Sequence, residues 1–230
     1  MMQIVDLSLV DRRDLNAALH ALKDNTNETH WRVANPAGQH SLAVGLNAPV
    51  TVEIGGHAGY YCGGMNRQAT IVVEGNVGVG VGENMMSGRI HVQGDASQAA
   101  GATAHGGLLV IDGNASARCG TSMKGVNIVV KGSIGPMSAF MAQAGALVVL
   151  GDAGDALGDS IYEARLYVRG AVKSLGADCI EKEMRDEHRR ELRALLDEAG
   201  LDGEVNVADF RRYGSARTLY NFHVDNAAAY

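Results

Sequence analysis

The run Gly78-Val-Gly-Val-Gly82 is the first stretch of this chain whose residue types could do chemistry, by cradling a phosphate on glycine backbone. A dinucleotide fingerprint needs another glycine where Glu83 stands, and a helix behind it. No lysine follows a glycine loop at the spacing of a P-loop. Cysteine offers a second route. Cys62 and Cys119 occupy equivalent positions three repeats apart, on the order of 14 Å once repeats stack, which is beyond disulfide reach. Cys179 stands outside the repeat, and no Cys-x-x-Cys or Cys/His cluster occurs. No zinc or iron–sulfur site within the chain is expected, and the thiols read as buried. His57, His91 and His105 fall in three different columns and build no metal face.

Glu74, Gln93, Asp112 and Lys131 do align, one per repeat. An enzyme acting on an extended polymer in a shallow outer groove would need such a stripe. A mixed stripe is also what a solvated strand face looks like. In the segments Glu83–Gly88 and Arg118–Gly125, Met85 and Met123 are expected to point inward. Glu83, Arg118 and Lys124 are expected outward, where they could meet a partner.

These residues are positioned by an internal repeat. Gly56, Gly75, Gly94, Gly113, Gly132, Gly151 and Gly170 recur every 19 residues without an insertion. A fixed period near 20 marks a stacked architecture. Four residues before each glycine stand Val52, Ile71, Ile90, Leu109, Ile128, Leu147 and Leu166. Two before stand Ile54, Val73, Val92, Ile111, Val130, Val149 and Val168. The residue just before is polar in Glu74, Gln93, Asp112, Lys131 and Arg169, with Leu150 the exception. That period-two alternation predicts a short strand opening each repeat, with one buried face. His57, Asn76, Asp95, Asn114, Ser133 and Asp152 follow the glycines and predict a turn in which each side chain bonds its own backbone. A further glycine column, Gly63, Gly82, Gly101, Gly120 and Gly158, is interrupted only by Ala139. One unit cannot bury a core alone, but stacked units can. The chain is expected to be an all-β solenoid: a right-handed parallel β-helix of seven 19-residue coils. Catalytic β-helices build clefts from loops inserted at one corner, and this uniform period leaves no room for them.

Residues 1–49 are expected to form an α/β cap over the open sheet edge. Asp11 can cap a helix through about Lys23, and Trp31–Ala34 and Leu42–Leu46 read as extended. The β-helix spans 50–176, and a charged helix spans 177–200 with an apolar stripe of Ile180, Met184, Leu192, Leu195 and Leu196. Its basic residues, among them Arg185 and His188, read as a solvated face laced with ion pairs. The extended tail 201–230 gathers Arg211, Arg212, Tyr213, Arg217, Tyr220 and Phe222, a mixture typical of interface cores. It docks either on another subunit or along its own solenoid. A net charge of −6 argues against nucleic acid or an anionic membrane. No apolar run approaches membrane-spanning length and no signal peptide is visible, so a soluble, cytoplasmic protein is expected.

The pattern Gly-x-x-Gly-x-x-x-Gly stands intact at Gly56-Gly59-Gly63, Gly75-Gly78-Gly82 and Gly151-Gly154-Gly158. It resembles the C-terminal GXGXG β-helix domain of the glutamate synthase large subunit. Glu83–Gly88, Thr121–Gly125, Ala139–Gln143 and Tyr213–Arg217 resemble the stand-alone third subunit of N-methylglutamate synthase, over nearly the whole chain. That resemblance implies a non-catalytic scaffold in a glutamate synthase-like complex, which converts methylamine and glutamate to N-methylglutamate and ammonia. It places FMN and an iron–sulfur cluster on an FMN-binding glutamate synthase-like partner, and a class II glutamine amidotransferase fold on another. No catalytic, cofactor or metal residue carries over to this chain. The β-helix subunit of another split glutamate synthase, or of formylmethanofuran dehydrogenase, is the alternative.

Overall fold

The computed structural model describes residues 2–218. Its strands form one eleven-stranded sheet in the order β1-β2-β3-β4-β5-β6-β7-β8-β9-β11-β10. β1 (Met2–Asp6) leads through α1 (Arg12–His20) to β2 (His30–Ala34). Then come β3 (Thr51–Ile54), β4 (Thr70–Val73), β5 (Arg89–Val92), β6 (Leu108–Ile111), β7 (Lys124–Val130), β8 (Ala144–Val149) and β9 (Arg165–Val168). β10 (Cys179–Lys182), α2 (Asp186–Glu198) and β11 (Arg211–Ser215) close the described chain.

From β1 to β9 every pairing is parallel, and from β3 to β9 the register steps by 19 residues, Val52 facing Ile71 facing Ile90, apart from a one-residue shift where Lys124 faces Ala144. The fold is the predicted solenoid. Both strand columns are fully buried, Val52 to Leu166 and Ile54 to Val168. Two more columns point inward beyond the strands. One holds Cys62, Val81, Ala100, Cys119, Ser138 and Leu157, and the other Asn66, Met85, Ala104, Met123, Ala142 and Ile161. The methionines therefore fill the interior, as their column predicts. Asn66 is polar but satisfied, donating to Ala69 O at 2.8 Å and accepting from Ala69 N at 3.2 Å.

The turn column behaves differently from its prediction. Each side chain bonds the next coil's backbone, not its own. His57 Nδ1 accepts from Asn76 N at 2.9 Å, Asn76 Oδ1 from Asp95 N at 2.9 Å and Asp95 Oδ1 from Asn114 N at 2.7 Å. Asn114, Ser133 and Asp152 continue the ladder to Ser133, Asp152 and Ala171 at 2.8–2.9 Å. This ladder explains the invariant spacing of the zero-position glycines. A Cβ on Gly113 would lie 2.3 Å from Asp95 Oδ1, and one on Gly94 only 2.2 Å from Asn76 Oδ1. The second glycine column has another cause. Gly101 sits at φ +66°, and a Cβ there would meet Ile128 Cδ1 of the core at 2.6 Å.

Both ends are covered. Asp11 accepts from Arg13 N and caps α1, whose Leu15 and Leu19 reach the core. Trp31 is buried beside them and donates Nε1–H to Glu28 O at 3.0 Å, a packing role. Leu42–Leu46 is not a strand as predicted. Ser41, Ala43 and Gly45 take left-handed backbone and complete a coil, with Ser41 N on Tyr60 O at 2.8 Å and Gly45 N on Gly64 O at 2.7 Å. This coil steps 21 residues, His30 to Thr51, so the 19-residue period does not reveal it. At the other end β11 runs antiparallel between β9 and β10, closing the parallel stack.

The C-terminal helix is shorter than predicted. Cys179–Lys182 forms β10 because β11 offers it a pairing edge, and α2 begins at Asp186. Ile180 therefore leaves the predicted stripe and lies exposed. α2 lies against the outer face of the later coils. Leu192, Leu195, Leu196, Leu201 and Phe210 cover Leu108, Val110, Val129, Val148, Leu150 and Tyr167 in a second core. Leu150, the apolar exception among polar outward residues, is thereby accounted for.

Candidate functional site

The outer stripe can be judged first. Arg32 donates Nη2 to Glu74 Oε2 at 2.7 Å and Nη1 to Glu53 at 3.4 Å. Asp112 is held between His91 Nε2 at 2.9 Å and Lys131 Nζ at 2.8 Å. Burial disfavours the Asp112 charge, but Lys131 and His91 outweigh it and hold the carboxyl below its ordinary range. Arg32 likewise lowers Glu74, so Glu74 and Asp112 are pinned as carboxylates, which unfits them as proton donors near neutral pH. The thiols are equally ill suited to nucleophilic work. Burial pushes Cys62, Cys119 and Cys179 each up to about 12. Among the described residues, no group of three or more His, Cys, Asp or Glu side chains is placed to hold a metal.

A different constellation forms where β9, β10, β11 and the start of α2 meet. A recess of 440 Å³ is lined there by Arg165, Lys182, Arg185, His188, Arg212 and Arg217, with Glu163 the only carboxylate on its wall among the described residues. Topology assembles it. β11 inserts between β9 and β10, so Arg212 stands opposite both Tyr167 and Lys182. Arg165 Nε donates to both oxygens of Glu191 at 2.9 and 2.7 Å, and Tyr167 adds its hydroxyl to the same carboxylate at 2.5 Å. Burial and then Glu191 push the Tyr167 phenol upward, so it remains a donor. Arg185 pairs with Glu183 at 3.2 Å, and Arg217 pairs with Glu163 at 2.9 Å.

Two cations lack such partners. Lys182 Nζ donates to Ser215 O at 2.6 Å, and Arg212 Nε donates to Glu183 O at 2.9 Å. Among the described residues neither has a carboxylate within ion-pair distance. Burial lowers the Arg212 pKa, and repulsion from Arg185 and Arg165 adds to it. His188 is lowered in the same way, by burial first and then by Arg212. Its Nδ1 accepts from Arg185 N at 3.2 Å, which leaves the ring proton on Nε2.

The predicted interface residues divide accordingly. Arg212 and Arg217 enter the recess. Tyr213 turns the other way and caps the solenoid interior. Arg211 lies 6.0 Å over the Tyr213 ring and 3.9 Å from Glu181. Tyr220 and Phe222 lie outside the described residues. Arg165, Lys182, Arg185 and His188 join the site although sequence reading gave them no such role. Only the antiparallel return of β11 brings them beside Arg212, and no local spacing signals it.

No family model matches the chain. It is 59% identical over 229 residues to a protein named "Protein GlxC" from Rhizobium meliloti (strain 1021), an alignment that covers 100% of each chain. The chain belongs to the GlxC family. The name GlxC states no activity.

Proposed function

We propose that this GlxC-family chain is a scaffold subunit, without a reaction centre of its own, of a multi-subunit glutamate synthase-like flavoenzyme. The most concrete form of the reading is N-methylglutamate synthase, forming N-methylglutamate and ammonia from methylamine and glutamate. The observation that carries it is the uninterrupted period. Each coil from β3 to β9 repeats after 19 residues, and none carries a loop that could wall a cleft. The buried, protonated thiols and the pinned acids of the outer stripe support the same reading. So does the resemblance of the Gly-x-x-Gly-x-x-x-Gly coils to the glutamate synthase β-helix domain.

The cofactors of such an enzyme belong to a partner in this reading. An iron–sulfur cluster needs converging cysteine thiolates, and the three buried cysteines here lie on separate rungs and converge on nothing. FMN needs an apolar slot for its ring system, whereas the recess is lined by charged side chains. Among the described residues, neither the cysteines nor the recess fits these groups. Its own role is to hold an amidotransferase-like subunit and an FMN-binding subunit at a fixed separation along a rigid rod.

The test is omission. The chain is co-expressed with candidate glutaminase-like and flavin subunits, and methylamine-dependent N-methylglutamate formation is assayed with and without it. The expected result is a three-component complex whose activity collapses when this chain is left out. Full activity from the other two subunits alone would overturn the reading.

A further inference from the structure

We propose that the recess between β9, β11 and the start of α2 is a binding site for a small oxyanion, a carboxylate or phosphate group held by Arg212 and Lys182. The inference is independent of the scaffold reading. It rests on the charges that the fold brings together and that the described residues leave without carboxylate partners.

Five cationic side chains line the recess, and three have carboxylate partners: Arg165 with Glu191, Arg185 with Glu183 and Arg217 with Glu163. Among the described residues, Lys182 and Arg212 reach only backbone carbonyls, Ser215 O and Glu183 O. The Arg212 bond uses Nε, which leaves its terminal N–H groups in a fork suited to two oxygens of one anion. Lys182 has donors to spare beyond its single bond at 2.6 Å. His188 adds an Nε2–H on the same wall, 3.7 Å from Glu187 Oε1, since its Nδ1 is occupied by Arg185 N. Partly buried like charges repel at a cost that folding does not require. The volume of 440 Å³ suits a small molecule, and the polar lining suits its charged end.

Calorimetric titration of the full chain at low ionic strength tests this, with inorganic phosphate in one arm and L-glutamate in the other. Matched sodium chloride serves as the control in each. Saturable binding of one anion per chain is expected in at least one arm, and the arm that saturates names the source. Arg212→Gln and Lys182→Met should each weaken that binding by about tenfold or more. Arg118→Gln, on a distant coil, should leave it unchanged. A second readout does not depend on either variant folding. The saturating anion should raise the pH midpoint of the His188 ring followed by NMR in the unmodified chain. Absence of saturable binding in both arms would overturn the proposal. So would Arg212→Gln and Lys182→Met chains that bind like the unmodified one, or a His188 midpoint that saturating anion leaves in place.

Discussion

Asp95 and Gly113 illustrate how tightly single residues are coupled across coils. Asp95 Oδ1 accepts the Asn114 amide at 2.7 Å and sits where a Gly113 side chain would begin. Gly113→Ala should therefore destabilise the protein by about 2–3 kcal/mol in urea unfolding, because the new carbon must displace an acceptor or the coil itself. Gly203→Ala is the control. Nothing lies within 4 Å of its would-be Cβ, and only its φ of +69° is penalised, by about 1 kcal/mol. Asn114→Ala removes one rung of the side-chain ladder and should cost about 1 kcal/mol. His188 belongs to this scale too. Its pKa is depressed by burial and Arg212, with Arg185 adding and Glu187 and Glu191 opposing. Its contribution is thus complete above the unfolded value of about 6.5 and is lost as pH falls through the lower folded value. The urea midpoint should fall on acidification across this window, and His188→Gln should flatten that part of the profile.

Elements differ in how far they could be read from sequence. The strands β3 to β9 were legible because two wholly aliphatic columns at a fixed period admit one arrangement, like over like. α1 was legible from Asp11 and its leucine spacing. The outer face was not read, although a signal existed. Val110, Val129, Val148 and Tyr167 replace the polar pattern on the outward side of the later strands, and that side must then be covered. α2 supplies the cover. Leu196→Ala should cost about 3 kcal/mol. Hydrogen exchange should then show lost protection in α2, with β3 to β5 unchanged. β10 was misread as helix because its charged sequence favours one locally, while the edge of β11 that decides the matter lies some thirty residues later. The recess shares that cause. Its cations come from four separate elements, and only the antiparallel return of the chain defines their neighbourhood.

As a whole, the described molecule is a stack with two covered ends and one flank armoured by α2, its three thiols buried and Glu74 and Asp112 of the outer stripe paired. Rigidity along the axis follows from side-chain and backbone ladders that repeat at every coil. Such a body suits the positioning of partners better than the turnover of substrate, and the basic recess is a local exception on a chain of net charge −6. The most direct test of the central claim is a measurement on the isolated chain. It is purified alone and analysed for flavin, iron and transfer of isotopically labelled methylamine to glutamate. The account predicts neither cofactor in stoichiometric amount and no labelled product, with activity returning only when the partner subunits are added. Labelled N-methylglutamate formed by the chain alone, or one flavin retained per chain, would contradict it.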